Sequence, residues 1–424
     1  MIRVLSAIVV PPHLSVSGGA RAGETLSAAL AGNCAMTVAN MMGASDAPEG
    51  CHRLPVRTGL PPGLPWSRLG NRHRTPFYRS DIPRAIRPGA YDLVHIHNPM
   101  PALEMRRIAR ACRAAGIPYV VSTHGFNEIA NGAEIYGFGP AQRAAWRLLV
   151  QGPVSDTVRG ADAILALSPA DFGIIRRMGF AGESIDLVPN GVRLPAAGRP
   201  EEDRAIWERF GLGSPEPGAP LTALFLANHT PNKGLPVLLR GVLGLKQPFT
   251  LIVGGETRPE IDYAGALAAA GPGQRIVVTG RLSDAEVAAL MRRADLFVFP
   301  TLADTLPLVV FEAMAHGRPV LASSVGGIPH QIDETCGRLV HPGDPEALRA
   351  AIVDLAADPD RLARMGARAR ERVAAGFTWE AAAEKALRAY RRVLSAREID
   401  RRFAAAPAPV RAVSEGRESW RIPG

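Results

Sequence analysis

The sequence predicts an α/β protein built from two doubly wound domains that face each other across a cleft. Short apolar runs alternate with helical patterns through most of the 424-residue chain, which predicts parallel sheets with helices on both faces. A stretch rich in glycine, proline and charge, at about 195–220, divides this alternation into two halves of ordinary domain size. After Pro345 the pattern is purely helical, which predicts closing helices behind the second sheet.

The first domain is predicted to span residues 1–195. Its apolar runs are continuous rather than alternating, as is typical of strands that are covered on both faces. Such strands are predicted at 3–10, 93–96, 119–122, 163–166 and 186–188. Helical spacing predicts helices between them at 24–30, 102–115, 141–158 and 169–178.

The second domain is predicted to span residues 196–376, after a short helical piece at 204–210. Strands are predicted at 223–226, 250–253, 276–279, 296–299 and 319–322. Helices are predicted at 235–243, 262–270, 284–293, 346–356 and 359–375. A separate last helix, at 379–395 within segment 377–398, carries Ala383, Leu387, Tyr390 and Leu394 at helical spacing. The alanine-, proline- and arginine-rich end, 399–424, has no such period and is predicted to be a mobile tail.

Composition narrows the classes of partner. The net charge is +9 and the pI about 9.9, and the basic excess is dense from Arg53 to Arg113. This basic region is a solvated face, a contact for anionic lipid, or a site for a phosphorylated acceptor. Nucleic acid is disfavoured because no helix-turn-helix, zinc-finger or RRM pattern accompanies the charge.

Other features of the sequence predict a cytoplasmic protein. No apolar run approaches the roughly 18 residues that span a bilayer, and the N-terminal MIRVLSAIVVPP indicates a first strand rather than a signal peptide. The four cysteines are scattered, so neither a disulfide framework nor a zinc site is predicted. A DPD sequence at 358–360 matches a loose metal pattern, but its place between two helices favours helix capping.

One stretch, 295–329, has the pattern of an anion site. A buried strand is followed by a loop with Asp304, and Pro307 suits the first turn of a helix that contains Glu312. A helix that begins at the carboxyl end of a parallel strand offers free N–H groups to an anion. With two carboxylates beside it, this site suits a ligand with phosphates and sugar hydroxyls. A strand–loop–helix unit that binds nothing is the alternative.

Other predicted strand ends carry further candidate ligand-binding residues. Gly18 and Gly19 in SVSGGARAGE permit close backbone approach, although Ala20 breaks a GxGxxG dinucleotide pattern. His124 follows one strand, and Lys233 follows another close to a helix start, where it suits a phosphate. A flexible loop, a structural histidine and a surface lysine are the respective alternatives. His95 and His97 also end a strand, and they are more often structural.

Taken together, these residues resemble the family 4 retaining glycosyltransferases of GT-B fold, over roughly residues 1–395. SGGARAG, STHG, LVPNGV, NKG and DTLPLVVFEAMAHGRPVLASSVGGIP occur in that family's order and spacing, followed by GFTWEAAAEKALRAYRRVL. The resemblance implies two Rossmann-like domains, with the nucleotide-sugar donor on the C-terminal one and the acceptor mainly on the N-terminal one. It also implies that the C-terminal helices return to the N-terminal domain.

The resemblance implies a role for each site residue. Glu312 would bind the ribose hydroxyls and Asp304 the donor sugar. His124 would lie at the reaction centre, with Gly18 and Gly19 lining the cleft opposite. The diphosphate would be held by Lys233 and by the backbone of Leu306, Pro307 and Leu308. No metal and no cofactor is implied, since the nucleotide diphosphate-sugar is itself a substrate.

The chain departs from the family pattern at two positions. Asp304 stands where the family usually has glutamate, and Asn228 stands where it usually has an arginine that contacts the diphosphate. Losing that cation weakens the stabilisation of the diphosphate, for which Arg281 is a candidate replacement.

We therefore predict an enzyme, a metal-independent hexosyltransferase-like protein that acts on a glycan or lipid-linked acceptor. The expected role is cell-surface polysaccharide or glycolipid synthesis, in the cytoplasm or at the inner face of the membrane. A non-catalytic nucleotide- or glycan-binding relative in an assembly complex, and a nucleotide-sugar epimerase of the same fold, are the alternatives.

Overall fold

The computed structural model describes residues 1–14, 18–43, 46–63, 65–216 and 218–405. Within them, two separate parallel sheets form the centres of two α/β domains. The predicted fold class, two doubly wound domains, is confirmed. The strand predicted at 119–122 and the helices predicted at 102–115 and 235–243 have the predicted bounds.

The N-terminal domain contains nine strands and eight α-helices within the described residues. The strands are β1 Ile2–Ile8, β2 Cys34–Asn40, β3 His52–Arg53, β4 Thr58–Gly59, β5 Arg79–Ser80, β6 Leu93–His97, β7 Tyr119–Ser122, β8 Ala163–Ala166 and β9 Ile185–Leu187. The helices are α1 Gly18–Leu30, α2 Asn71–Arg74, α3 Ile82–Ala85, α4 Ala102–Ala115, α5 Phe126–Ile135, α6 Pro140–Trp146, α7 Gly152–Arg159 and α8 Ala170–Arg177. Short 3-10 helices lie at Trp66–Arg68 and Thr75–Phe77, and a π-helical turn at Arg147–Gln151.

The main N-terminal sheet has the order β3-β2-β1-β6-β7-β8-β9, and its strands are parallel. The sequence did not predict β2, because CAMTVAN lacks a continuous apolar run, yet β2 pairs with β1 along its whole length. The helix predicted at 141–158 is an uninterrupted helical run from 140 to 159, which consists of α6, the π turn and α7. Pro153, which has no N–H to continue the helical hydrogen bonds, lies just after the π turn.

The C-terminal domain is built around a sheet of order β12-β11-β10-β13-β14-β15. The strands are β10 Leu221–Leu226, β11 Phe249–Gly254, β12 Gln274–Gly280, β13 Leu296–Phe299, β14 Val320–Ser323 and β15 Gly337–Val340. The helices are α9 Pro200–Arg209, α10 Leu235–Leu243, α11 Tyr263–Ala268, α12 Asp284–Arg293, α13 Leu308–Ala315, α14 Ile328–Gln331, α15 Pro345–Ala356 and α16 Pro359–Gly376, with a 3-10 helix at Pro231–Lys233. Of these, β15 and the short helix α14 were not predicted. The DPD sequence caps α16, since Asp358 Oδ1 accepts the Arg361 N–H at 2.8 Å.

The last helix, α17 Trp379–Ala405, returns to the N-terminal domain. Its buried residues share a hydrophobic cluster with Val4, Leu26 and Leu93 of the N-terminal sheet and α1. The helix continues through residues 399–405, which were predicted to begin the tail. The rest of the predicted tail, 406–424, lies outside the described residues. Of the helices described, none is both long and apolar enough to cross a membrane.

The two passages of chain between the domains touch each other. Val192 N donates to Phe377 O at 2.9 Å, and Val192 forms an isolated parallel β-bridge with Thr378. A Cβ on Gly191 would come 2.4 Å from the backbone nitrogen of Trp379, so only glycine allows the two passages to approach this closely. The two passages of chain are therefore in direct backbone contact at Gly191 and Val192.

Candidate active site

The C-terminal wall of the cleft is formed where β10 and β13 end. These strands are parallel neighbours, so the loops that follow them leave the sheet at the same edge. The β10 loop carries Lys233, and the β13 loop carries Asp304. Thr301 Oγ1 donates to Asn232 O at 2.8 Å, and Leu302 N donates to the same oxygen at 2.7 Å, so the two loops are tied together.

Lys233 and Asp304 form an ion pair in this wall. Lys233 Nζ donates to Asp304 Oδ2 at 2.7 Å, and both side chains are largely buried. Lys233 is followed by Gly234, which has φ +75° and lies so close to Pro300 O that a Cβ there would be 1.8 Å away. The glycine of NKG is therefore required by the close packing of the two loops.

The loop of Asp304 rests on the turn that follows β14. Gly326 has φ +54°, and a Cβ there would come 1.9 Å from Asp304 O. Gly327 N donates to Thr305 O at 2.6 Å. The Gly-Gly pair of VGGIP thus gives the loop of Asp304 a backbone support that no larger residue could supply.

Helix α13 begins at Leu308 in this wall. Pro307 precedes the first turn, in extended conformation, rather than lying inside it as predicted. The carbonyls of Leu306 and Pro307 are fixed by Asn190 Nδ2 at 3.3 Å and Gln331 Nε2 at 2.9 Å. The first backbone N–H groups of α13 have no partner within the helix and are suited to an anion.

Glu312 lies one turn into α13 and faces the N-terminal domain. Its Oε1 is 3.9 Å from Nη1 of Arg21, in the first turn of α1. Burial raises the pKa of the Glu312 carboxyl, and the positive charge of Arg21 acts in the opposite direction. A mostly buried carboxylate with one distant cation retains free acceptor positions, as a contact to ribose hydroxyls requires.

The N-terminal wall begins with Gly18 and Gly19. They are the first residues of α1, not a loop before a helix as predicted, and residues 15–17 lie outside the described residues. A Cβ on Gly19 would come 2.2 Å from Oδ1 of Asn98, which follows β6 with φ +65°. Gly19 is therefore needed for the amide of Asn98 to lie against the start of α1.

His124 follows β7 and is buried at the same edge of the N-terminal sheet. Burial lowers its pKa to about 4, so the imidazole is neutral at pH 7 and can act as a hydrogen-bond donor without carrying charge. Its ring centroid is 6.0 Å from that of His97, which in turn lies 3.7 Å from that of His95. Both ring nitrogens of His97 are buried without a hydrogen-bond partner.

His95 connects this edge to the last helix. Its Nδ1 is 2.7 Å from the hydroxyl of Tyr390 on α17, and its Nε2 is 2.7 Å from Ser122 Oγ. Burial lowers the pKa of His95 to about 3, with the charge of His124 acting in the same direction. His95 is therefore a structural histidine with both ring nitrogens engaged.

The two other candidates make local contacts. The side-chain oxygen of Asn228 accepts from the Thr230 hydroxyl at 3.4 Å. Arg281 pairs with Glu256 at 3.1 Å and is engaged outside the Lys233–Asp304 pair. Among the residues that the structure describes, no group of three or more His, Cys, Asp or Glu side chains is arranged to hold a metal ion.

Sequence reasoning missed the residues that join the walls. Arg21 lies within the quoted SGGARAG but was not singled out, and Asn190 lies within LVPNGV. Neither has a local signal, because each acquires its contact only when the other domain is placed beside it.

Matches to family models cover both domains. A model described as Glycosyltransferase Family 4 matches residues 16–194, and one described as Glycosyl transferases group 1 matches residues 220–358. D-inositol 3-phosphate glycosyltransferase 1 of Catenulispora acidiphila is 32% identical over 328 residues, which cover 72% of this chain and 73% of that protein. The chain belongs to glycosyltransferase family 4. The predicted resemblance is confirmed, and with it the assignment as a glycosyltransferase enzyme.

Other similar proteins allow the length and the fold of this glycosyltransferase to be compared. D-inositol 3-phosphate glycosyltransferase of Segniliparus rotundus is 32% identical over 288 residues, which are 66% of this chain but 62% of that protein. Sucrose-phosphate synthase of Thermosynechococcus elongatus superposes with a TM-score of 0.70 at 22% identity, over 93% of this chain and 100% of that one. Anabaena HepE in complex with UDP-glucose superposes with a TM-score of 0.67 at 16% identity, again over 93% of this chain and 100% of that one. These structures confirm the GT-B fold.

Proposed function

We propose that this chain transfers a sugar, with retention of anomeric configuration, from a nucleotide diphosphate-sugar to a hydroxyl of its acceptor. The observation that carries the proposal is the C-terminal wall: the Lys233–Asp304 pair beside the start of α13, with Glu312 one turn further in. In this wall, Lys233 suits the phosphates, Asp304 the sugar and Glu312 the ribose. HepE, a structural neighbour, was solved with UDP-glucose, which supports a donor of this class.

In this proposal the reaction is a displacement at the anomeric carbon. The bond from that carbon to the β-phosphate oxygen breaks, and its electron pair stays on the phosphate. The acceptor oxygen bonds to the same carbon from the same face, and its proton passes to the departing phosphate. Lys233 and the N–H groups of α13 stabilise the charge that develops on the leaving group. Neutral His124 donates to a hydroxyl near the reacting carbon, and the chain's own residues perform these roles without a metal.

The acceptor we propose is a glycan or a lipid-linked sugar, as in cell-surface polysaccharide or glycolipid synthesis. A phosphorylated polyol is the second candidate, because several relatives are named D-inositol 3-phosphate glycosyltransferases. The basic surface of the N-terminal domain suits either a phosphate on the acceptor or anionic lipid at the inner face of the membrane. Binding to anionic but not to neutral liposomes at low salt checks the membrane attachment.

The proposal is tested with purified protein and a panel of nucleotide-sugars, scored by transfer and by slow donor hydrolysis. Lys233→Ala and Glu312→Gln are each expected to lower kcat/KM by about 100-fold or more, because each removes a contact to the donor. Lys246→Ala and Glu334→Gln are the matched controls, since both side chains are exposed in the same domain. Unchanged turnover in Glu312→Gln would show that the site is wrongly placed.

The same assay separates the alternatives. Binding of nucleotide diphosphates without turnover of any donor would indicate a non-catalytic relative. Isomerisation of the sugar without an acceptor would indicate an epimerase.

A further inference from the structure

The C-terminal wall is short of positive charge for a nucleotide diphosphate. A bound diphosphate carries at least two negative charges, and the charge on the leaving group increases as the glycosidic bond breaks. In the wall itself, Lys233 is already paired with Asp304, and Glu312 adds a further carboxylate. The start of α13 contributes only a partial positive charge. A second full cation must come from elsewhere in the protein.

Two other arginines of the C-terminal domain are engaged in other contacts. Arg281 pairs with Glu256 at 3.1 Å. Arg372 pairs with Asp333 at 2.7 Å and donates to the carbonyls of His330 and Gln331. Both are held by their own carboxylates, so neither is available without breaking a shorter contact.

Arg21 faces the wall from the other domain. Its guanidinium is 3.9 Å from Glu312 Oε1, too long for a hydrogen bond, and its side chain is 62% exposed. Leu308, the first residue of α13, packs on the cluster that contains Ala22 and Leu26 of α1. The start of α1 therefore lies near α13. Glu312 is four residues from Leu308, about 6 Å along the helix axis, and a change of rotamer in the long, exposed Arg21 side chain covers a distance of this size.

We propose that Arg21 leaves Glu312 when the donor binds and contacts the diphosphate, so that the N-terminal domain supplies the second cation for the departing nucleotide. Glu312 is freed for the ribose in the same step. This inference rests on the proposed function and assigns a donor-binding residue to the domain that otherwise holds the acceptor.

The test compares Arg21→Ala and Arg21→Lys with Arg368→Ala, a control of similar exposure that lies on α16 and pairs with Glu371. Calorimetry gives the Kd of UDP, GDP and ADP and of the corresponding monophosphates. The comparison uses the diphosphate that the unmodified protein binds most tightly. Arg21→Ala is expected to raise the Kd of this diphosphate about 10-fold or more. The Kd of the corresponding monophosphate is expected to rise less than about threefold, because the monophosphate lacks the second phosphate that Arg21 contacts. The kcat of donor hydrolysis is expected to fall about 100-fold and to recover in part with millimolar guanidinium.

Arg21→Lys keeps the charge but loses the bidentate geometry, so it is expected to lie between the unmodified protein and Arg21→Ala. An equal loss of affinity for diphosphate and monophosphate would overturn the inference, because Arg21 would then act on the ribose through Glu312. The inference would also be overturned if Arg21→Ala changed the diphosphate Kd and the hydrolysis kcat no more than Arg368→Ala does. If the unmodified protein turns over no donor, the proposed function fails, while the difference between diphosphate and monophosphate still decides the role of Arg21.

Discussion

At the scale of single residues, glycines determine where the charged groups of the site can lie. Gly234 brings the loop of Lys233 against Pro300, Gly326 supports Asp304, and Gly19 admits Asn98. Gly234 and Gly326 allow a close backbone contact, and Gly19 allows the side chain of Asn98 to approach, so each of these positions has no room for a Cβ. The charged residues could not reach one another if these loops were held further apart.

Gly234→Ala is the prediction at this scale. A Cβ would overlap Pro300 O at a left-handed φ of +75°, so we expect the free energy of unfolding to fall by at least about 2 kcal/mol. Lys233 would also be displaced, and nucleotide diphosphates should bind at least about 10-fold more weakly. Urea unfolding and calorimetry measure both effects. Gly213→Ala is the control, because Gly213 is exposed and nothing lies within 4 Å of its would-be Cβ; similar losses in both variants would contradict the explanation.

At the scale of elements, the last helix is joined to the N-terminal sheet by a buried polar contact. Tyr390 of α17 is fully buried, and its hydroxyl meets His95 of β6, whose other nitrogen meets Ser122 of β7. The three groups satisfy one another in a place without solvent, where an unpartnered polar atom is costly. This contact specifies where α17 lies on the sheet, in addition to its apolar packing.

Tyr390→Phe should therefore destabilise the protein by about 1–3 kcal/mol, because it leaves His95 Nδ1 buried without a partner. In a His95→Leu background the same change should cost little, since the hydroxyl has already lost its partner there. Urea unfolding of the four proteins in this double-mutant cycle gives the coupling. Additive losses would show that the hydroxyl and the imidazole do not stabilise each other.

At the scale of the whole molecule, buried histidines make the fold sensitive to acid. Burial lowers the pKa of His95 to about 3 and of His124 to about 4, and that of His97 well below its ordinary value of 6.5. The unfolded chain therefore binds more protons than the native protein below about pH 6.5, and the free energy of unfolding falls as the pH falls towards 4. Burial raises the pKa of Asp171 to about 6, which acts in the opposite direction.

We expect the protein to lose about 2–4 kcal/mol of stability between pH 7.5 and pH 5.0, as the histidine effect outweighs that of Asp171. The midpoint of urea unfolding at several pH values measures this. His97→Leu should flatten the profile, whereas His52→Leu, at an exposed strand end, should leave it unchanged. A His97→Leu profile parallel to that of the unmodified protein would exclude His97 as a source of the acid sensitivity.

The sequence by itself determined the two-domain α/β architecture and most of its strands, because continuous apolar runs and helical spacing are local patterns. It also predicted Lys233, Asp304 and Glu312 as residues of a phosphate and sugar site, from their positions at strand ends and at a helix start. It missed β2, whose mixed sequence CAMTVAN has no continuous apolar run but pairs with β1 along its whole length.

Only the tertiary structure decided which of these residues meet. The 2.7 Å contact of Lys233 with Asp304 joins residues that are 71 positions apart. Arg21 faces Glu312, and Asn190 holds Leu306, across a domain boundary. Such contacts depend on how the two separate sheets are placed by the contact at Gly191 and by α17. No local pattern encodes that placement, since it follows from packing between segments far apart in the chain.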